Sequence, residues 1–445
     1  LTAAEIAGAV REGSTSVREI IVSTLARIGA AEPRLNAFTT IFAERALARA
    51  EMIDAAVASG TDPGPMAGVP FAVKNLFDVA GFVTRAGAKV TASDAPAASD
   101  ADAVAALERN GGVLVGATNM DEFAYGFTTE NAHDGTTHNP HDYARIAGGS
   151  SGGSTAAVAA GLVPIALGTD TNGSIRVPSA FCGIFGIRPT LGLLSTRGTF
   201  PFVHSLDVVG PFARTARDLA TAFAVLRSPR AAQPIDVAAM RCARLGGYFD
   251  EGLLSEARHG VDVVCEAVGA DTVVELAHAK EAREAAFLIT AAEAGELHAE
   301  RLRRFSADYD PATCDRLIAG AFVPAAWYVR AQRFRSYFQA EMAAVFATYD
   351  VLIAAATPYA APAIGQRTIV IDGLEVEVRA NVGVFTQPIT LAGVPVVSVP
   401  IVERGVLPVG VQLIGRPGSE SALLALAEAL ELRAIVGAAA LPAVA

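Results

Sequence analysis

The sequence predicts an α/β fold, a sheet covered by helices on both faces. Three observations carry it. Short apolar runs of strand length recur at residues 68–74, 112–116, 164–167, 351–355, 396–401 and 409–414. Helical stretches with spaced apolar positions alternate with them along the chain, as a sheet layered between helices requires. Of 445 residues 52% are hydrophobic, enough to fill a large core, and much of that is alanine, which favours closely packed helices.

Taken in order, residues 2–11 read as a helix stopped at Gly13, and Ser14-Thr15-Ser16 caps a second one through residue 28. A third covers 41–59, before the turn cluster 60–65. The apolar run 68–75 ends in a lysine, Lys74, an unusual residue for a buried strand end. Loop 90–96, helix 101–110 and strand 112–116 follow, then a long polar loop, 119–145, of the kind that carries function. Residues 143–147 make a poor strand. Ser154-Thr155 offers caps for a helix of small residues, and 164–167 is a buried strand. Helix 215–226 leads into 227–350, where long helices with scattered Arg and Glu replace the Ser/Gly loops. Strand texture returns after 351, and 421–433 closes the chain as a helix.

The net charge is −11 with no dense Lys/Arg run, which argues against nucleic acid or a membrane surface as partner. Cys182, Cys242, Cys265 and Cys314 form no CxxC pair, so neither a zinc site nor a disulfide framework is expected. Reduced thiols fit a cytoplasmic protein. No uncharged apolar run reaches the roughly 18 residues of a membrane span, and residues 1–5 carry no leader pattern.

Chemistry concentrates between Ala147 and Thr190. Gly148, Gly149, Gly152 and Gly153 ring Ser150, and the loop 169–174 ends on Ser174. Three readings compete. In the first, Lys74, Ser150 and Ser174 form a relay for nucleophilic acyl transfer. A serine hydroxyl needs a base, and a lysine serves only when burial among neighbours such as Phe71, Val73, Leu76 and Phe77 keeps it neutral. The 171–174 backbone could then aim N–H groups at one point, as an oxyanion hole does. In the second, Gly148 to Gly152 is a G-x-S-x-G elbow served by His133, His138, His141 or His204, although the elbow wants a strand just before the serine. In the third, the glycine loop binds phosphate at a helix start, but the phosphate-loop and dinucleotide fingerprints are both missing. The glycines could also serve packing alone.

The stretch GGSSGGS at 148–154, with Gly168-Thr169-Asp170, Gly173-Ser174-Ile175-Arg176 and Phe181-Cys182-Gly183, resembles the amidase signature family, serine hydrolases of amide and carbamate C–N bonds. Gly68-Val69-Pro70 through Lys74, Ser205-Leu206-Asp207, Gly393-Val394-Pro395 and Gly410-Val411-Gln412 extend the resemblance over most of the chain. It implies one amidase signature domain over 1–445 with a mixed twisted sheet: a catalytic core at 60–215, a peripheral helical region at 227–350 and a return to the sheet at 351–445. It implies Lys74 as base, Ser150 in a cis peptide as relay and Ser174 as nucleophile. Thr171, Asn172, Gly173 and Ser174 match the oxyanion loop, and Asp170 with Arg176 is expected to brace it through a charge-assisted pair. Two positions depart from the family pattern: Asn172 stands where glycine is usual, and Asn75 where aspartate often follows the lysine.

Within the family, the phrases 119–131, 170–174 and 327–333 are most similar to carboxybiuret hydrolases; urethanases, aryl acylamidases and amidotransferase A subunits likewise resemble the chain. That resemblance implies a small amide, carbamate or biuret-like substrate and a homodimer or a small helical partner subunit; no cofactor is expected, and the histidines of the 131–141 loop, without i, i+4 spacing on a helix, offer no metal site. Tyr125, Phe127, Thr128, Gly149, Asn172, Arg197, His204, Gln332, Arg335 and Gln387 are the candidate pocket residues.

Overall fold

The computed structural model describes residues 1–227, 235–401, 403 and 405–438. Among them one mixed sheet of eleven strands dominates. In chain order these are β1 (Phe38–Ile41), β2 (Pro70–Lys74), β3 (Val113–Thr118), β4 (Ile165–Asp170), β5 (Phe185–Arg188), β6 (Val208–Ala213), β7 (Cys242–Leu245), β8 (Val273–Val274), β9 (Val351–Ala355), β10 (Val396–Ile401) and β11 (Val409–Gly415). Across the sheet the order is β1-β3-β2-β4-β6-β5-β10-β11-β9-β7-β8. β2 runs parallel to β3 and β4, and β7 runs parallel to β8 and β9. The other neighbours are antiparallel.

β2, β3, β4, β6, β10 and β11 are buried along their whole length, which explains why they read as continuous apolar runs and not as alternating ones. Helices cover both faces. The first two, Ala3–Arg11 and Val17–Leu35, each start with a capping box, Thr2 with Glu5 and Ser16 with Glu19. The second outruns its expected end at residue 28 because Gly29 does not stop it; Asn36, in the left-handed region at φ 50°, does.

Several expectations need correction. The helix expected at 41–59 is preceded by β1 and begins at Ala43, since four residues of edge strand give little periodic signal. Residues Asp142–Ile146 do form a strand, paired with His138–Asn139 in a small separate ribbon. Ser154 and Thr155 lie inside the helix Gly152–Ala159 and do not cap it; the Ser154 hydroxyl donates to the Leu167 carbonyl. The 227–350 stretch is not purely helical, because β7 and β8 lie within it and extend the sheet. No helix among the described residues is long and apolar enough to cross a membrane.

Candidate active site

Sheet topology brings the two serines and the lysine together. β2 and β4 are parallel neighbours, so Lys74, the last residue of β2, lies at the same sheet edge as the loop that follows Asp170. The helix Gly152–Ala159 leads back to the start of β4, which leaves its N-terminus, and Ser150 just before it, beside that strand's end. All three side chains come from chain segments that their strands and helices fix on both sides.

Lys74 is fully buried, its Nζ 2.7 Å from Ser150 Oγ and 3.0 Å from Thr169 Oγ1. Burial pulls its ammonium down to about 7, against the opposing pull of Asp121, Asp207 and Asp170. Burial likewise pushes the Asp121 and Asp207 carboxyls up. The Gly149–Ser150 peptide is cis. Gly149 cannot be another residue: a Cβ there would stand 2.0 Å from Asp121 Oδ2 and 2.7 Å from the Thr128 nitrogen.

The loop carrying Ser174 is built around one carboxylate. Asp170 accepts from the Gly173 and Ile175 N–H groups at 2.9 and 3.2 Å. Arg176 holds it with Nε and Nη2, both at 3.0 Å, and Arg188 Nη1 stands at the same distance. Burial alone would raise this carboxyl, but the two arginines overcome it and hold the group well below the usual carboxylate range. Arg176 is itself tied to the Thr386 carbonyl, to Gln412 Oε1 at 2.8 Å and to Thr390 Oγ1 at 2.6 Å. Gly173, at φ 136°, has no room for a side chain, since a Cβ would meet Thr386 Oγ1 at 2.3 Å. One expectation is overturned: the Gly173 N–H is spent on Asp170 and is not open to an oxyanion. The N–H groups of Thr171, Asn172 and Ser174 donate to no described residue. Thr171 Oγ1 donates to Asp207, and Asn172 Nδ2 donates to Thr290 Oγ1 at 2.8 Å.

Ser174 and Asn172 open onto a cavity of about 650 Å³. Of the candidate pocket residues, Tyr125, Phe127 and Gln387 line it with Asn172. Thr128 and Gly149 are buried behind it, among the supports of the Ser150 loop. Four candidates lie elsewhere, among them Arg335, which is buried and donates to the Leu391 carbonyl at 3.2 Å. Arg197 is exposed and ion-paired with Asp102 on a surface loop, and His204 is exposed. Gln332 donates to the Tyr328 hydroxyl, which donates to Glu293. In place of these, the cavity takes Lys280, Arg283, Phe287 and Thr290 from the helix Ala279–Phe305, Arg316 from Pro311–Ala321 and Arg379 from Val378–Asn381. Isolated arginines in a helical stretch read as solvated surface, so the sequence alone carried no signal for them.

No histidine serves the serines. His133 Nε2 stands 2.8 Å from Glu122, His138 Nδ1 stands 2.6 Å from the Tyr143 carbonyl, and His141 Nε2 stands 2.9 Å from the Cys182 carbonyl. The elbow reading therefore lacks its base, whereas Lys74 touches Ser150. Chemically, the arrangement offers a buried amine against a hydroxyl, a second hydroxyl at a cavity floor, and unpartnered N–H groups beside it.

A family model described as Amidase matches residues 19–424. The chain is 46% identical over 447 residues to AtzE of Pseudomonas sp. (strain ADP), a 1-carboxybiuret hydrolase subunit, with 96% of this chain and 97% of that protein covered. The A subunit of glutamyl-tRNA(Gln) amidotransferase from Carboxydothermus hydrogenoformans is 35% identical, with 97% of this chain and 96% of that one covered. A solved structure described as an unexpected vestigial protein complex, revealing the evolutionary origins of an s-triazine catabolic enzyme, superposes with a TM-score of 0.95. It is 46% identical and covers 99% of this chain and 100% of that chain.

Proposed function

This chain belongs to the amidase signature family and is an amidohydrolase of C–N bonds, and from that premise we propose that Ser174 attacks the substrate, Ser150 relays its proton and Lys74 is the base. The observation that carries this is the Lys74 amine, buried, drawn down to about 7 and 2.7 Å from Ser150 Oγ. A neutral amine has a lone pair for the Ser150 proton. Ser150 in turn takes the proton of Ser174 as Ser174 Oγ bonds to the carbonyl carbon, and the carbonyl π pair moves to its oxygen. The free N–H groups of Thr171, Asn172 and Ser174 receive that oxyanion. The proton returns through Ser150 to the leaving nitrogen, the C–N bond breaks, and an ester on Ser174 remains. Water then repeats the sequence, releasing an acid and restoring the serine.

For substrate we propose a small biuret-like acid of the carboxybiuret type. The 46% identity to a carboxybiuret hydrolase subunit supports this, as does the arginine-lined cavity, too small for a macromolecule. Four cysteines without a disulfide support action in the cytoplasm. A panel of biuret-type acids, aryl carbamates and anilides, run on wild type and on Ser174→Ala, tests the reading. Turnover of the biuret-type acids that vanishes in Ser174→Ala is expected. Full residual activity in that variant overturns the nucleophile; turnover of carbamates or anilides alone moves the substrate class to a urethanase or acylamidase.

A second reading, that the chain works within a complex of several subunits, is favoured by exposed aromatic side chains at Phe322, Trp327 and Tyr337 and by relatives described as subunits. Size-exclusion with and without a co-expressed small partner distinguishes it; a fully active lone chain counts against it.

A further inference from the structure

We propose that Arg379 is a specificity-determining residue that receives a carboxylate of the substrate at the cavity mouth. The inference deepens the reading above and rests on it for the reaction, though not for the charge of the ligand.

Electrostatics point there first. In a chain of net charge −11, the cavity that holds Ser174 is lined by four cationic side chains, Lys280, Arg283, Arg316 and Arg379, against two acidic ones, Glu284 and Glu377. Low-dielectric walls focus such a field and draw in an anion. The partners of these cations then separate them. Arg283 is spoken for, donating to Gln387 Oε1 at 3.0 Å and to the Ala380 carbonyl at 2.6 Å. Arg316 stands over the Tyr125 ring, its Cζ 4.1 Å from the centroid, and donates to the Tyr125 and Ala312 carbonyls. Lys280 and Arg379 remain: neither side chain has a hydrogen bond or ion pair with any described residue, but of the two only Arg379 carries a planar fork, and it acts electrostatically on Arg316 and on the buried Asp121 beneath the site.

Position supplies the rest. Arg379 stands on the short helix Val378–Asn381, just after the exposed hairpin Thr368–Ile371 with Leu374–Glu377. Val378 is buried beside it and anchors the segment, while the guanidinium is exposed at the cavity. A planar, permanently charged fork without a partner, facing the pocket of a nucleophile, is suited to two parallel hydrogen bonds with a carboxylate. Placed there, the carboxylate is held at the mouth while the scissile carbonyl reaches Ser174.

The test compares binding of charged and neutral twins. Isothermal titration on Ser174→Ala protein measures oxamate, malonamate and succinamate against oxamide, malonamide and succinamide, with and without Arg379→Ala. Expected is tighter binding of at least one acid than of its diamide, and a loss of about 10- to 100-fold for that acid in Arg379→Ala. The diamide should move by less than about threefold, and Arg379→Lys should recover part of the loss. Equal losses on acid and diamide, no loss on either, or tighter binding of the diamides overturns the assignment. Because binding is read without turnover, the two readings fail separately. Charge-dependent binding with an inert wild type sinks the hydrolase mechanism alone, and turnover with charge-blind binding sinks the carboxylate assignment alone.

Discussion

The Ser150–Ser174 core and the roof of the cavity are built on opposite rules. In the core every charged group has a buried partner and almost nothing touches water: Asp170 alone is held by Arg176 and Arg188, and Lys74, Ser150, Asp170, Arg176 and Arg188 all have zero exposure. In the roof, formed by the helices that carry Arg283, Arg316 and Arg379, charges outnumber their partners and Phe287 is half exposed. A buried network whose charges are all partnered fixes atoms to one position, which catalysis requires. An under-partnered surface leaves its charges for a ligand. In the proposed reading, reaction and selectivity sit on different parts of the fold, and variants should affect one without the other.

The largest effect should come from Lys74→Met, which removes the proposed base while filling its slot with an apolar chain. Activity should fall to the level of Ser174→Ala, while stability at pH 7 rises. Folding lowers the ammonium from 10.5 to about 7, so burying it costs nothing above about pH 10.5; the cost grows as pH falls and is complete near 7. That cost is on the order of 4 kcal/mol, partly offset by the contacts to Ser150 and Thr169, so a net gain of about 2 kcal/mol is expected at pH 7, shrinking toward pH 10. Urea unfolding at both pH values checks it. In wild type the same value makes kcat/KM rise through about pH 7 and level off above; a flat profile would remove Lys74 as base.

Asp170→Asn should come next, and it breaks the core from the structural side. Two buried arginines would lose their shared anion, a loss of about 3–5 kcal/mol. The native carboxyl is held low, so its contribution is present above the usual carboxylate value and disappears as pH falls through the native one. The gap between wild type and variant should therefore be widest near neutrality and close in strong acid. Thermal unfolding across pH measures it, and a pH-independent gap would mean that the carboxylate charge is not what braces the loop.

How much of this was legible follows the same division. Lys74, Ser150, Ser174 and the Asp170–Arg176 pair sit in short contiguous motifs, where local sequence sets local geometry. Arg188 was missed because it ends an apolar strand and reaches Asp170 only through sheet pairing with β6 and β10. Thr386 and Thr390 reach Arg176 from more than two hundred residues away. The strands β7 and β8, four and two residues long, are too short for any periodicity to announce. In the roof, whether an arginine faces the cavity or solvent depends on how the helices Ala279–Phe305 and Pro311–Ala321 pack, which no spacing within either helix states. Polar residues in nearby loops were therefore favoured as pocket wall, and Arg197 and His204 proved to be surface.

Arg197 supplies the smallest expected effect and the sharpest control on the roof. Its side chain is 79% exposed and its bond is to Asp102 at the start of the helix Asp102–Arg109, while Ser195 Oγ also donates to Asp102. An exposed ion pair gains little over hydration and is screened by salt. Asp102 keeps its Ser195 partner when the arginine is gone. Arg197→Ala should consequently leave kcat/KM unchanged for acids and diamides alike and move the melting temperature by no more than the scatter between preparations. The contrast with Arg379→Ala is the informative part: both variants remove one positive charge from an exposed arginine, so global charge changes equally. If Arg197→Ala also weakened binding of the acids, their preference would come from the field of the whole surface and not from the guanidinium at the cavity mouth.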